Sequence, residues 1–105
     1  ISNDELAMMK KTAYLIHTAR GKVVDDYALV AALKEGRIAG AALDVYEDEP
    51  EITEGMTELP NLILLPHIGS ASFETRDKMA LLVVDNIMDA LAGKTPRSLV
   101  PTYPK

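Results

Sequence analysis

Three short apolar runs, Tyr14 to Thr18, Ala39 to Val45 and Leu62 to Leu65, constrain this chain more than any other feature. The first is ended by Ala19-Arg20-Gly21, the second closes on Asp44-Val45 and the third is stopped by Pro66. The first has the character of a strand buried on both faces of a parallel sheet. Between the first two runs lies a segment with helical punctuation. Asp25 and Asp26 cap or electrostatically favour its start, Leu29 and Leu33 lie one turn apart, and Gly36 follows Lys34 as a stop. A strand-helix-strand connection of this length implies parallel pairing and a right-handed crossover, so the fold class is α/β.

The flanking segments extend this pattern. Ser2 and Glu5 have the spacing of a capping box, which predicts a short helix running to about Thr12. Gly40, Ala41 and Ala42 would let a helix or a ligand come close to the second strand. Tyr46 to Pro60 is acidic and holds Pro50, Gly55 and Pro60, so it reads as a loop with room for a short turn of helix. With Ser72 as N-cap, Glu74 in the first turn and Gly93 past the end, a long helix is expected to run to about Ala92. An extended tail with Pro96, Pro101 and Pro104 follows it. On a helical wheel Met79, Leu82, Val83, Ile87, Ala90 and Leu91 share a face that Leu81, Val84 and Met88 widen, giving an apolar arc of about 260°. One small domain needs only a stripe, so this surplus predicts a second covering surface, from another domain or another subunit.

Composition narrows the function. A chain of 105 residues fits one small domain, and 48% hydrophobic with 26% charged residues is ordinary for a globular protein. The net charge is -5 and the basic residues are scattered, so the stripe that nucleic acid requires is missing. No apolar run reaches the roughly 20 residues of a bilayer span, nor does the N-terminus have the order of a signal peptide. The absence of Cys excludes disulfides and thiolate metal sites and agrees with a cytoplasmic location. Ile1 stands where Met would, which suggests a piece cut from a longer chain.

In open parallel sheets ligands bind beyond the carboxyl ends of the strands. Those ends hold Thr18-Ala19-Arg20-Gly21, then Asp44 with Glu47, Asp48 and Glu49, then Pro66-His67-Ile68-Gly69-Ser70. An Arg, several carboxylates and a His would gather on one edge, as an anion clamp beside an acid/base imidazole whose partner carboxylate favours the protonated ring. Plainer readings stand beside this one. Arg20 could close a turn or pair with the acidic loop, Glu49 could be a solvated surface charge, and Asp44 could cap the loop after it. His67 could be a satisfied loop histidine, while His17, inside the first strand, suits a hydrogen-bonded structural role. Gly69 to Ser72 at a helix start is a weak phosphate motif, and two histidines without helical spacing give a metal little support.

Leu15 to Asp25 (LIHTARGKVVD), Gly40 to Pro50 (GAALDVYEDEP) and Pro66 to Ser72 (PHIGSAS) resemble, in order and spacing, three signature blocks of the D-isomer-specific 2-hydroxyacid dehydrogenases. The resemblance spans nearly the whole chain and is nearest the glyoxylate/hydroxypyruvate reductase branch; Glu49 speaks against the formate dehydrogenase branch, which has an amide there. It implies that Arg20 binds the substrate carboxylate and polarises the keto group. It further implies that His67 exchanges a proton with the keto oxygen and that Glu49 holds the His67 ring. Thr18, Ala19, Arg20, Asp44, His67, Ile68 and Gly69 would surround the nicotinamide end of NAD or NADP.

By the same resemblance, residues 1–71 form the second half of a Rossmann-like NAD(P)-binding domain. Residues 72–105 form a helix and tail returning to a substrate domain outside this chain, and the complete subunit is a homodimer acting on a small 2-keto or 2-hydroxy acid. Two departures stand out. His17 replaces the Asn of many relatives, and no G-x-G-x-x-G occurs, so the diphosphate-binding fingerprint and the residue that selects NAD or NADP are missing and the isolated chain should have little activity. A second class of function is a non-catalytic relative serving as a corepressor-like interaction module, since such relatives keep similar sites.

Overall fold

In the computed structural model, residues 1–101 are described; Pro104 of the expected tail lies outside them. The elements are α1 (Asn3–Ala7), β1 (Tyr14–His17), α2 (Asp26–Lys34), β2 (Gly40–Leu43), β3 (Leu62–Leu64) and α3 (Phe73–Leu91), with single 3-10 turns at Gly21–Val23 and Met56–Glu58. Two units result, Ile1–Gly69 and Ser70–Lys105.

In the first unit the described strands form one sheet in the order β1-β2-β3, and both pairings are parallel. Leu15 is in register with Ala41, and Ala41 with Leu62. The α2 helix forms as the punctuation predicts. Asp25 is its N-cap and accepts the Ala28 N–H at 2.9 Å, while Gly36 takes φ +64 past its end, a conformation that costs glycine nothing. Its Ala28, Leu29, Ala32 and Leu33 are buried with Leu6 of α1, Leu15 of β1, Leu43 of β2, Ile38 and Met56. Each large apolar side chain so enclosed contributes about 1.5–3 kcal/mol.

Two expectations need correction. The first helix stops at Ala7, well short of Thr12. Leu6 is its sole buried residue, and the chain must reverse into β1, which it does through a turn in which the Ala13 N–H donates to the Lys10 carbonyl at 2.9 Å. Of the capping box, the Glu5 carboxylate accepts the Ser2 backbone N–H at 2.7 Å, whereas the Ser2 hydroxyl donates to Asp25.

The second correction concerns β1, which is buried on one face only. Leu15 and His17 point into the core while Tyr14 and Ile16 remain 69% and 67% exposed. Both helices of this unit pack on the same side of the strands, so the other face, with Ile63 of β3, is a shallow apolar depression of about 380 Å³. The close approach expected at Gly40 is made by the chain itself. A Cβ there would lie 2.8 Å from the Asn61 carbonyl oxygen and 3.0 Å from the Tyr14 ring.

The second unit is α3 and the segment after it. Ser72 caps the helix, accepting the Thr75 N–H at 3.2 Å. Gly93, at φ +70, ends it in a Schellman arrangement, with Gly93 N–H to Ala90 carbonyl and Lys94 N–H to Asp89 carbonyl. Arg97 then bonds Asp85 and Asp89, which lie one turn apart on the helix. None of the α3 side chains is buried, including those of the wide apolar arc. Among the described residues no helix is long and apolar enough to cross a membrane.

Candidate active site

Three loops leave the carboxyl ends of the strands, and each is fastened from below. After β1, the buried His17 donates from Nε2 to the Arg20 carbonyl at 3.0 Å, pulling Thr18 to Arg20 back over the strand end. This is the structural role its position suggested. The Arg20 side chain is exposed and spends one N–H on the Ala19 carbonyl at 2.7 Å. At Gly21 backbone meets backbone. A Cβ there would sit 1.7 Å from the Tyr46 carbonyl oxygen, so only glycine lets the first loop rest against the second.

The loop after β2 carries the acidic residues. Tyr46 is buried, donates its hydroxyl to the Leu65 carbonyl at 2.6 Å and gives its backbone N–H to Glu49 Oε1 at 3.0 Å. Burial pushes the Tyr46 phenol above its ordinary range, so it stays a donor. Asp26, the first residue of α2, is 1% exposed. Its Oδ2 accepts the Glu47 N–H at 3.1 Å and the Thr53 hydroxyl at 3.2 Å, tying the start and the middle of the acidic loop to α2. The sequence groups Asp26 with Asp25 at a helix start; the structure gives the cap to Asp25 and the loop to Asp26.

The third loop holds His67 at φ +54, a left-handed backbone that costs a non-glycine residue of order 1 kcal/mol and persists only where neighbours impose it. Here the neighbour is Asp44, 5% exposed, whose Oδ1 accepts the Ile68 N–H at 2.8 Å and Oδ2 the Gly69 N–H at 2.7 Å. The His67 ring meets Glu49, with Nδ1 to Oε2 at 2.7 Å. One Glu49 oxygen thus holds its own loop and the other holds the ring. The hydrogen bond from His67, and next the one from Tyr46 N–H, keep the Glu49 carboxyl below its ordinary range, so it is an anion at neutral pH. Pro50 follows it through a cis peptide.

Arg20, Glu49 and His67 therefore line one open cleft of about 560 Å³, with Gly21, Lys22 and Tyr46 to Asp48 completing its wall. His67 and Glu49 also border a more apolar hollow of about 490 Å³ with Pro50, Leu64 and Pro66. Of the other residues singled out in the sequence, Thr18, Ala19, Ile68 and Gly69 are exposed at the same strand ends, whereas Asp44 lies beneath them. Asp26, Tyr46 and the packing role of Gly21 were not legible. An aspartate after another aspartate reads as a cap, and nothing local marks a tyrosine hydroxyl that bonds a residue 19 positions away.

A parallel sheet with helices on it and polar side chains gathered at its carboxyl edge is the second half of a Rossmann-like nucleotide-binding domain. Residues 1–69 match the family described as D-isomer specific 2-hydroxyacid dehydrogenase, NAD binding domain, and the chain belongs to that family. Over 100 residues it is 56% identical to a glyoxylate reductase of Pyrococcus horikoshii, covering 95% of this chain and 30% of that one. The solved structure of an NADPH-dependent glyoxylate/hydroxypyruvate reductase from Sinorhizobium meliloti, in complex with NADP and malonate, superimposes with TM-score 0.84 at 46% identity, over 88% of this chain and 29% of that one. That of a glyoxylate reductase from Paecilomyes thermophila gives TM-score 0.87 at 44% identity, over 90% and 29%. The chain spans about 30% of the length of the relatives it matches.

Proposed function

We propose that the complete subunit containing this chain reduces a small 2-keto acid, such as glyoxylate or hydroxypyruvate, to the D-2-hydroxy acid with NADH or NADPH. The observation that carries this reading is the 2.7 Å contact of Glu49 with His67 in the cleft that Arg20 also lines. With Nδ1 engaged by an ionised carboxylate, His67 has Nε2 free to exchange a proton with a substrate oxygen, and Glu49 stabilises the charged ring before the proton leaves. Arg20 keeps four of its five guanidinium N–H donors after its bond to Ala19, enough to grip a carboxylate with two parallel bonds. Its positive charge also favours the electron-rich keto oxygen at the moment of proton donation.

When bound, a reduced nicotinamide supplies the hydride for the keto carbon. The chain fits the nicotinamide end of such a cofactor. Thr18 offers a hydroxyl, and the exposed peptide segments at Ala19 and Ile68 offer donors and acceptors, the mixed set that a carboxamide needs. The glycine fingerprint for the diphosphate is absent from the sequence, so this chain would hold that end alone. On the same reading residues 72–105 return to a substrate domain, and the enzyme is a cytoplasmic homodimer. The absence of Cys supports the compartment, and the family resemblance supports the rest.

His67→Ala in the complete subunit tests the assignment. Turnover should fall by at least about 100-fold, the lower scale of general acid catalysis, with the melting temperature unchanged. Near-normal turnover removes His67 from the chemistry and the proposal with it.

A further inference from the structure

We infer, on the reduction chemistry proposed above, that Asp26 is a positioning residue that acts through the turn Tyr46 to Glu49 on the carboxylate holding His67. The helix on which Asp26 sits does not need it. Asp25 already caps α2 through the Ala28 N–H at 2.9 Å, and an acid in a first helical turn is favourable when exposed to solvent. Asp26 is instead 1% exposed, and its Oδ1 has no hydrogen-bond partner among the described residues. Burying a polar oxygen unpartnered is unfavourable, so the compensation must come from the other oxygen. That oxygen, Oδ2, takes the Glu47 N–H at 3.1 Å and the Thr53 hydroxyl at 3.2 Å.

The Glu47 bond reaches the site. The peptide joining Tyr46 to Glu47 is held on both edges, its N–H by Asp26 and its carbonyl by backbone packing against Gly21. Fixing that peptide fixes the direction of the Tyr46 N–H beside it, which donates to Glu49 Oε1 at 3.0 Å. The other Glu49 oxygen meets the His67 ring at 2.7 Å. With Asp26 released the peptide can turn, the Tyr46 N–H swings away, and Glu49 loses the bond that aims it at His67. Asp26 itself does not line the cleft, so any effect of its loss on turnover passes through the loop.

A double-mutant cycle in the complete subunit, with glyoxylate and NADPH or NADH, tests this. Asp26→Ala should lower kcat roughly 10- to 100-fold, the scale of a misplaced reacting group. The KM for glyoxylate should stay within about threefold, since the Arg20 loop is fastened separately by His17. Asp26→Asn should bring kcat back to within about threefold of the native value, because the oxygen that makes both bonds survives in the amide. In a Glu49→Ala background, where the carboxylate to be aimed is gone, Asp26→Ala should change the residual kcat by no more than about twofold. Equal losses in both backgrounds, a loss in Asp26→Asn as large as in Asp26→Ala, a KM that rises in step with the fall in kcat, or no loss at all would overturn the inference. Should Asp26→Ala fail to fold, Asp26→Ser, with its shorter side chain, runs through the same cycle with the same expectations. Failure of the underlying reading looks different, because there His67→Ala by itself leaves turnover near normal.

Discussion

The cleft and the layer beneath it use the same kinds of residue for opposite ends. In the upper layer Arg20 is exposed, and the His67 and Glu49 side chains are 47% and 35% exposed, each with donors or acceptors to spare. In the lower layer Asp26, Asp44 and Tyr46 are buried, and their bonds go to loop backbone groups and one hydroxyl. The contrast shows a division of labour. Groups that change partners during a reaction stay in reach of solvent, and groups that never change partners are buried, where an unmade hydrogen bond is most costly.

Substitutions in the two layers should therefore fail differently. Gly21→Ala should have the largest effect, costing about 3 kcal/mol in a denaturant titration, at the upper end for overpacking, since its methyl would collide with the Tyr46 carbonyl. A cost below 1 kcal/mol would show that the two loops are not in backbone contact. Arg20→Lys should instead lower kcat/KM by about 10- to 100-fold, the worth of a hydrogen bond to a charged group, and leave the denaturation midpoint in place. A loss of stability with unchanged kinetics would move Arg20 to the lower layer.

Away from both layers, Asp25→Ala should cost about 1 kcal/mol as a lost helix cap. Asp26→Asn should cost less than about 1 kcal/mol, because one oxygen makes both of its bonds and survives in the amide. The smallest effect concerns pH. The folded state holds the Glu49 carboxyl below its unfolded value, so its contribution to stability is complete above the usual carboxylate range and is lost as pH falls through the depressed value. The stability difference between the native sequence and Glu49→Gln should shrink over that acidic window; a constant difference would mean the His67 contact does not bias Glu49.

Much of this was legible in the residues. Strand and helix order followed from the apolar runs and from Asp25, Gly36, Ser72 and Gly93, because caps and stops act within a few residues of chain. The strand ends of a parallel sheet marked Arg20, His67 and a group of carboxylates, and the family resemblance singled out Glu49 from that group. What stayed hidden depends on long-range packing. Leu15 and Ile16 are both apolar, yet one is core and the other is bare, since helices of the unit cover one face of the sheet only. Asp25 and Asp26 are chemically identical neighbours, and only the fold decides which caps a helix and which anchors the acidic loop. That Asp44 would accept both the Ile68 and Gly69 N–H groups, 24 and 25 positions on, depends on the turn folding over it.

The most direct trial is a steady-state assay of the complete subunit with NADH or NADPH and short 2-keto acids, with the configuration of the product determined. Consumption of the reduced cofactor coupled to formation of the D-2-hydroxy acid is the predicted result. A well-folded subunit that turns over none of these substrates, or that yields the L product, would contradict it.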